Sequence, residues 1–290
     1  METFLVEPSW LEAKLGSYDL AVLDCAWFAP EAGKTGLDAF RAEHIPTARH
    51  FDLNAASDGT SPYPNMMPDP AQFSAIVGAL GIDNGMTVVI YDAGYVSARV
   101  WWMFHRFGHD NVFILDGGLR RWKAEGRGLE SGEASPAIAR TFEAKLPVTD
   151  IAGWVDVAIA LSEGTAQVVD ARMPDRFSGA LPSGYPGLAP GHMPGAVNLP
   201  WTAMMRQEGD FRFISPEEAD EAFRSAGIDP DQPIIATCGS GVTAAVLAFQ
   251  LLRMGKTDWT IYDGSWNEWG RRDDLPKAAT GPANDVDSTI

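Results

Sequence analysis

The apolar positions of this 290-residue chain gather in short continuous runs separated by amphipathic stretches. Runs rich in Val, Ile and Leu near 20–24, 87–91 and 112–115 predict strands, with helices near 70–79 and 98–107. Further runs near 167–170, 196–199, 234–237 and 259–262 alternate with helices predicted near 150–162, 216–226 and 243–254. A strand apolar on both faces must be covered on both. The pattern therefore predicts an α/β architecture, with mainly parallel sheets carrying helices on each side. Ser215-Pro216-Glu217-Glu218 spells out a helix start: a capping hydroxyl, a proline where no amide is needed, and a glutamate placed to close a capping box.

The same unit is written twice. Val22-Leu23-Asp24 returns as Val168-Val169-Asp170, and His44-Ile45-Pro46 returns as His192-Met193-Pro194. Val88-Val89-Ile90-Tyr91-Asp92 returns as Ile234-Ile235-Ala236-Thr237-Cys238, and Leu115-Asp116-Gly117-Gly118 returns as Tyr262-Asp263-Gly264-Ser265. Partners stand 146 to 148 residues apart throughout, so we read a duplicated domain. The first copy is placed at 1–130, a linker rich in Gly, Ser, Ala and Pro at 131–147, the second copy at 148–276, and a flexible tail at 277–290. His44 and His192 precede prolines in both copies and are read as turn residues. Cys25, closing the run Ala21-Val22-Leu23-Asp24, is read as a small buried hydrophobe.

One position separates the copies chemically: the second has Cys238 where the first has Asp92. Cys238 ends an apolar run and opens the turn Gly239-Ser240-Gly241-Val242-Thr243-Ala244, which leads into a helix. Backbone N–H groups at a helix start lack intrahelical partners, and two glycines let such groups curl toward one point. A sulfur held there is favoured as thiolate, and an anionic group attached to it is held by the same amides. Nucleophilic attack and storage of a charged intermediate then require neither a metal nor an organic cofactor. A lone cysteine is more often an inert core residue, but the order of strand, glycine-rich turn and helix outweighs that reading. Ligands of open parallel sheets bind beyond the carboxyl ends of the strands, where Cys238 falls. Asp92 cannot serve as a sulfur nucleophile, so the first copy is expected to be catalytically silent and to line the pocket.

Composition narrows the partners. With 39 acidic and 22 basic residues, a net charge of -17 and a pI near 4.6, the chain repels nucleic acid and anionic membranes. A small anionic substrate needs a local basic pocket. Two cysteines far apart do not make a disulfide framework and fit a reducing, cytoplasmic setting. The first residues lack the basic and apolar regions of a secretory signal. No apolar run approaches the roughly 20 residues of a membrane helix.

From Val22-Leu23-Asp24-Cys25-Ala26-Trp27 to Tyr262-Asp263-Gly264-Ser265-Trp266-Asn267-Glu268-Trp269, the chain resembles the tandem-domain sulfurtransferases of the rhodanese superfamily. Cys238 through Ala244 resembles the active-site signature of the 3-mercaptopyruvate sulfurtransferases among them. The resemblance implies that the Cys238 thiolate attacks the donor's sulfur, leaving pyruvate and a persulfide. Cyanide, a small thiol or a reduced thioredoxin then accepts the sulfur. It also implies that Gly239, Gly241 and Val242 form the substrate-binding loop and that Ser240 and Thr243 bond to the sulfur or relay a proton. By the same resemblance Arg176 grips the donor's carboxylate or carbonyl. Trp27 and Trp266 match aromatics near the pocket, for which interdomain packing is an equal reading, and Arg172 ties a strand end to a loop. Thiosulfate-type enzymes carry basic residues after the cysteine; Gly239 and Ser240 are neutral and hold a doubly charged donor less well.

Three positions depart from the family pattern. Tyr185 stands where a second substrate arginine is usual, Asn54 where an acidic residue is usual, and Asn65 where a histidine is usual. Neither asparagine exchanges a proton near neutral pH, so activation of the thiol is left to the loop or to solvent. The competing readings are a thiosulfate:cyanide sulfurtransferase, a non-catalytic sulfur carrier or interaction module, and a cysteine phosphatase. The last requires a phosphate-clamping arginine where this chain has Ala244.

Overall fold

The computed structural model describes residues 4–29, 32–145, 151–206 and 211–280. The first copy runs β1 (Leu5–Val6), α1 (Pro8–Lys14), β2 (Leu20–Asp24), α2 (Gly36–Ala42), β3 (Arg49–His50), α3 (Pro70–Ala79), β4 (Thr87–Tyr91), α4 (Val96–Arg106), β5 (Val112–Leu115) and α5 (Gly118–Ala124). The second runs β6 (Ile151–Ala152), α6 (Trp154–Glu163), β7 (Gln167–Asp170), α7 (Pro174–Ser178), β8 (Val197–Asn198), α8 (Pro216–Ser225), β9 (Ile234–Thr237), α9 (Ala244–Arg253), β10 (Trp259–Tyr262) and α10 (Ser265–Trp269). Two five-stranded sheets result, ordered β1-β5-β4-β2-β3 and β6-β10-β9-β7-β8, with every neighbouring pair parallel. Successive residues feed opposite faces: Ala21 and Leu23 enter one apolar cluster and Val22 another, as do Val88 and Ile90 against Val89.

The edge strands β1 and β6 span two residues each, too short for a period to register in the sequence. The segment 131–145, expected as linker, is strapped to the first copy. Arg140 donates its amide to the Gly78 carbonyl at 2.9 Å, and Phe142 is buried against Phe73, Phe104 and His109. One buried phenylalanine inside a Gly/Ser/Pro-rich stretch is a weak compositional signal, although it fixes the path of the chain. Residues 277–280, expected to begin a tail, are also paired: Ala278 exchanges backbone bonds with His192, and the Thr280 amide reaches Ser178. Residues 281–290 lie outside the described residues.

The two copies meet through α4 and α9, which belong to one shared apolar cluster; Trp101 packs edge-on against Phe249 with ring centroids 4.8 Å apart. Both helices are buried over most of their length, from Val96 to Phe104 and from Ala244 to Leu251, as helices enclosed by protein are. The repeated histidines do the same structural work twice. His44 Nδ1 lies 2.8 Å from the Phe40 carbonyl with its ring stacked on Phe40, and His192 Nδ1 lies 2.9 Å from the Phe177 carbonyl with its ring stacked on Phe177.

Duplication also exposes an unbalanced charge. Asp170, at the end of β7, is bound by Arg172 Nε and Nη2 at 3.0 and 2.7 Å. Its counterpart Asp24 has Ala26 in the arginine's place, and burial raises its pKa to about 6 despite bonds from the Ala26 amide and Tyr91. A carboxyl whose folded pKa exceeds its unfolded value stabilises the fold most while protonated. That contribution is lost as pH rises from about 4 through about 6. Asp24→Asn should therefore stabilise the protein by about 1–3 kcal/mol at pH 7.5, with the gain vanishing near pH 4. Urea unfolding at the two pH values measures this; an equal effect at both would contradict it.

Candidate active site

Cys238 sits where β9 ends and the turn into α9 begins, at the carboxyl edge of the second sheet. Its residue is 2% exposed, yet it borders a cavity of about 310 Å³. The wall includes Gly239, Ser240, Val242 and Thr243 from the loop, Arg172, Arg176 and Tyr185 from the second copy, and Trp27 from the first. Gly241 is absent from that wall. Asn54 and Asn65 line an adjoining cavity of about 530 Å³ that shares Trp27 and Tyr185 with the first.

The turn is held from behind by the segment between β10 and α10. Ser265 Oγ accepts the amides of Cys238 and Gly241, both at 3.1 Å, and donates to the Tyr262 carbonyl at 2.8 Å. The Cys238 carbonyl accepts the Trp266 amide, and the Gly239 carbonyl accepts both the amide and Nδ2 of Asn267. Ser265 occupies the left-handed region at φ 51°. Its counterpart Gly118 does so at φ 52°, where a Cβ would lie 2.1 Å from the Asp92 carbonyl oxygen. A serine tolerates this uncommon conformation here because its hydroxyl ties three backbone groups together.

The first copy shows what such a turn does. The Asp92 carboxylate accepts the amides of Gly94, Val96 and Ser97 at 2.9, 3.0 and 3.4 Å. Val96-Ser97-Ala98 repeats as Val242-Thr243-Ala244, so the counterparts of those amides belong to Ser240, Val242 and Thr243. Among the described residues those three amides have no protein acceptor. The first mouth is moreover plugged: Met205, Phe211 and Phe213 of the second copy leave only about 10 Å³ beside Asp92.

Two of the three departures from the family pattern converge on the loop, and the third holds Trp27. Ser240 Oγ accepts from Asn65 Nδ2 and from Tyr185 Oη, both at 3.0 Å, and Asn54 Oδ1 accepts from Trp27 Nε1 at 2.9 Å. With two donors on its oxygen, the Ser240 hydroxyl has its own hydrogen left for a group in the cavity. Arg172, although it borders the cavity, is committed to Asp170 and to the Gly191 carbonyl and lies over the Trp266 ring. Trp266 itself is core, donating Nε1 to the Ala189 carbonyl. Sequence reasoning did not find Tyr95 and Trp201, which pack ring on ring in the cavity wall, nor Ser265, Arg99 and Asp263 behind the loop. The signal for Ser265 was present, since it stands where the repeated motif of the first copy has Gly118.

Cys25 is wholly enclosed, and burial pushes its thiol well above the ordinary range, with the charges of Asp24 and Asp92 adding to the effect. Among the described residues no group of three or more ligating side chains could hold a metal, and no helix is long and apolar enough to cross a membrane.

Comparison with known proteins agrees with this arrangement. The family profile described as Rhodanese-like domain matches twice, at residues 7–125 and 155–272. The human 3-mercaptopyruvate sulfurtransferase is 42% identical over 276 residues, covering 92% of each chain, and the mouse thiosulfate sulfurtransferase is 38% identical over 277 residues, again covering 92% of each. The crystal structure of the Escherichia coli 3-mercaptopyruvate sulfurtransferase SseA superposes with a TM-score of 0.82 at 34% identity, covering 91% of this chain and 99% of that one. With the domain present twice and one thiol-bearing loop between them, the chain belongs to the rhodanese-like sulfurtransferases.

Proposed function

We propose that this chain moves sulfur from 3-mercaptopyruvate through a persulfide on Cys238 to a thiol, thioredoxin or cyanide acceptor. The Cys238 thiolate attacks the donor's sulfur, and an S–S bond forms as the C–S bond breaks. The electron pair passes to the enolate of pyruvate, which takes up the proton given up by the donor's thiol. An acceptor thiolate then attacks the outer sulfur and releases Cys238 as thiolate. The observation that carries this reading is the trio of amides at Ser240, Val242 and Thr243, whose counterparts hold a carboxylate in the first copy. The same geometry suits a thiolate or persulfide anion. The Ser240 hydroxyl adds a donor held in place by Asn65 and Tyr185. The second copy supplies the nucleophile and the first supplies Trp27, Tyr95 and Asn65. The acidic chain with two free cysteines fits a reducing, cytoplasmic setting and small-molecule donors.

The donor follows from the cations. Arg172 is bound to Asp170, Tyr185 donates to Ser240, and Arg176, which borders the cavity and donates Nη1 to the Pro182 carbonyl at 3.4 Å, is the cation placed to meet one carboxylate. A singly charged donor fits this better than thiosulfate. A charge-assisted bond of roughly 1.5–3 kcal/mol corresponds to about 10–100-fold in affinity, so Arg176→Met should raise KM for 3-mercaptopyruvate by that factor. Steady-state rates with both donors test the assignment: kcat/KM for 3-mercaptopyruvate should exceed that for thiosulfate by about tenfold or more. Equal or better turnover of thiosulfate would overturn the choice of donor.

A further inference from the structure

We propose that Arg99 and Asp263 are positioning residues for sulfur transfer, holding Asn65 on Ser240 and fixing the cysteine loop. This rests on the sulfur-transfer reading above. Each copy inserts a loop into the other's mouth, and the two insertions mirror each other. The Met67 amide donates to Asp263 Oδ2 at 2.6 Å and the Phe213 amide donates to Asp116 Oδ1 at 3.2 Å, where Asp116 and Asp263 are repeat partners. Both loops turn through a left-handed residue, Asn65 at φ 61° and Phe211 at φ 55°.

The mirror fails at one side chain. Arg99 of α4 donates Nη1 to Asp263 Oδ1 at 2.5 Å, lies 3.4 Å from the Gly241 carbonyl through the same nitrogen, and donates Nη2 to the Asn65 carbonyl. Its repeat partner is Ala245; at the first copy's mouth Arg253 of α9 instead reaches the inserted loop at the Ile214 carbonyl, and Asp116 is paired with Arg121 of its own copy. Arg99 and Asp263 are 0% and 1% exposed. Burying an ion pair seldom stabilises a protein more than apolar packing does, so stability alone does not account for a fully enclosed pair between the copies at the thiol-bearing mouth. What the pair does achieve is local: one guanidinium grips the strained Asn65 and the left-handed Gly241 together. The fit is close, because a Cβ at Gly241 would lie 2.5 Å from Asp263 Oδ1 and 3.1 Å from Arg99 Nη1. Gly241 thus serves the loop by admitting the ion pair rather than by lining the cavity.

A double-mutant cycle between Asn65→Ala and Asp263→Asn tests this, read as kcat and KM for 3-mercaptopyruvate and as the rate of Cys238 alkylation by iodoacetamide, which needs no sulfur donor. Each single variant should lower kcat about tenfold with KM within about twofold, and the double variant should be no worse than the poorer single. The alkylation rate should change in each single variant and show the same coupling. Should Asp263→Asn not fold, the cycle is run with Arg99→Lys, which keeps the charge but loses the fork. Multiplicative losses of about a hundredfold, or an unchanged kcat in a folded single variant, overturn the proposal. Turnover that persists without Cys238 would instead overturn the sulfur-transfer reading, and the alkylation cycle would still decide the positioning.

Discussion

Cys238→Ser should abolish turnover, lowering kcat by roughly a thousandfold or more while costing no more than about 1–2 kcal/mol of stability. A hydroxyl in the same place is far less acidic than a thiol and cannot carry a transferable sulfur. Cys25→Ser should leave turnover within about twofold, because that thiol is enclosed and kept protonated by burial beside Asp24 and Asp92. The same contrast predicts that iodoacetamide labels Cys238 and spares Cys25 in the folded protein. Donor-dependent turnover surviving in Cys238→Ser would remove the nucleophile from its assigned place.

The second large effect is expected from a residue that touches no substrate. Ser265→Gly should lower kcat by about 10–100-fold at a cost of about 1–3 kcal/mol of stability. Glycine relieves the left-handed backbone at φ 51° but removes the oxygen that accepts the amides of Cys238 and Gly241. Those amides are then left unpaired behind the loop, and the cradle in front of it loosens. Thermal unfolding and kinetics measured together separate the two effects. A fully active Ser265→Gly would show that the cradle does not depend on its anchor.

The strands and the cysteine loop were legible because continuous apolar runs and a glycine-rich turn are local signals that duplication reinforces. Asp92 against Cys238 could be read directly from the repeat. Other features depend on contacts distant in sequence. Asn65 reaches Ser240 and Arg99 reaches Asp263 only because each copy's loop enters the other's mouth, which no periodicity encodes. Arg99 stands in the buried stretch of α4 from Val96 to Phe104, where the sequence offers a charge but not its partner. Tyr185, Asn54 and Asn65 were legible as departures from a pattern. Their meaning emerged from geometry, since the first and last share the Ser240 hydroxyl and Asn54 holds Trp27.

The most direct test of the account is the intact mass of the protein after exposure to 3-mercaptopyruvate and removal of the excess. The account predicts a gain of one sulfur atom, lost when a reduced thiol is added and never acquired by Cys238→Ser. A protein that turns over the donor without gaining that mass under any quench, or a Cys238→Ser variant that gains it, would contradict the claim that the loop amides hold a persulfide on Cys238.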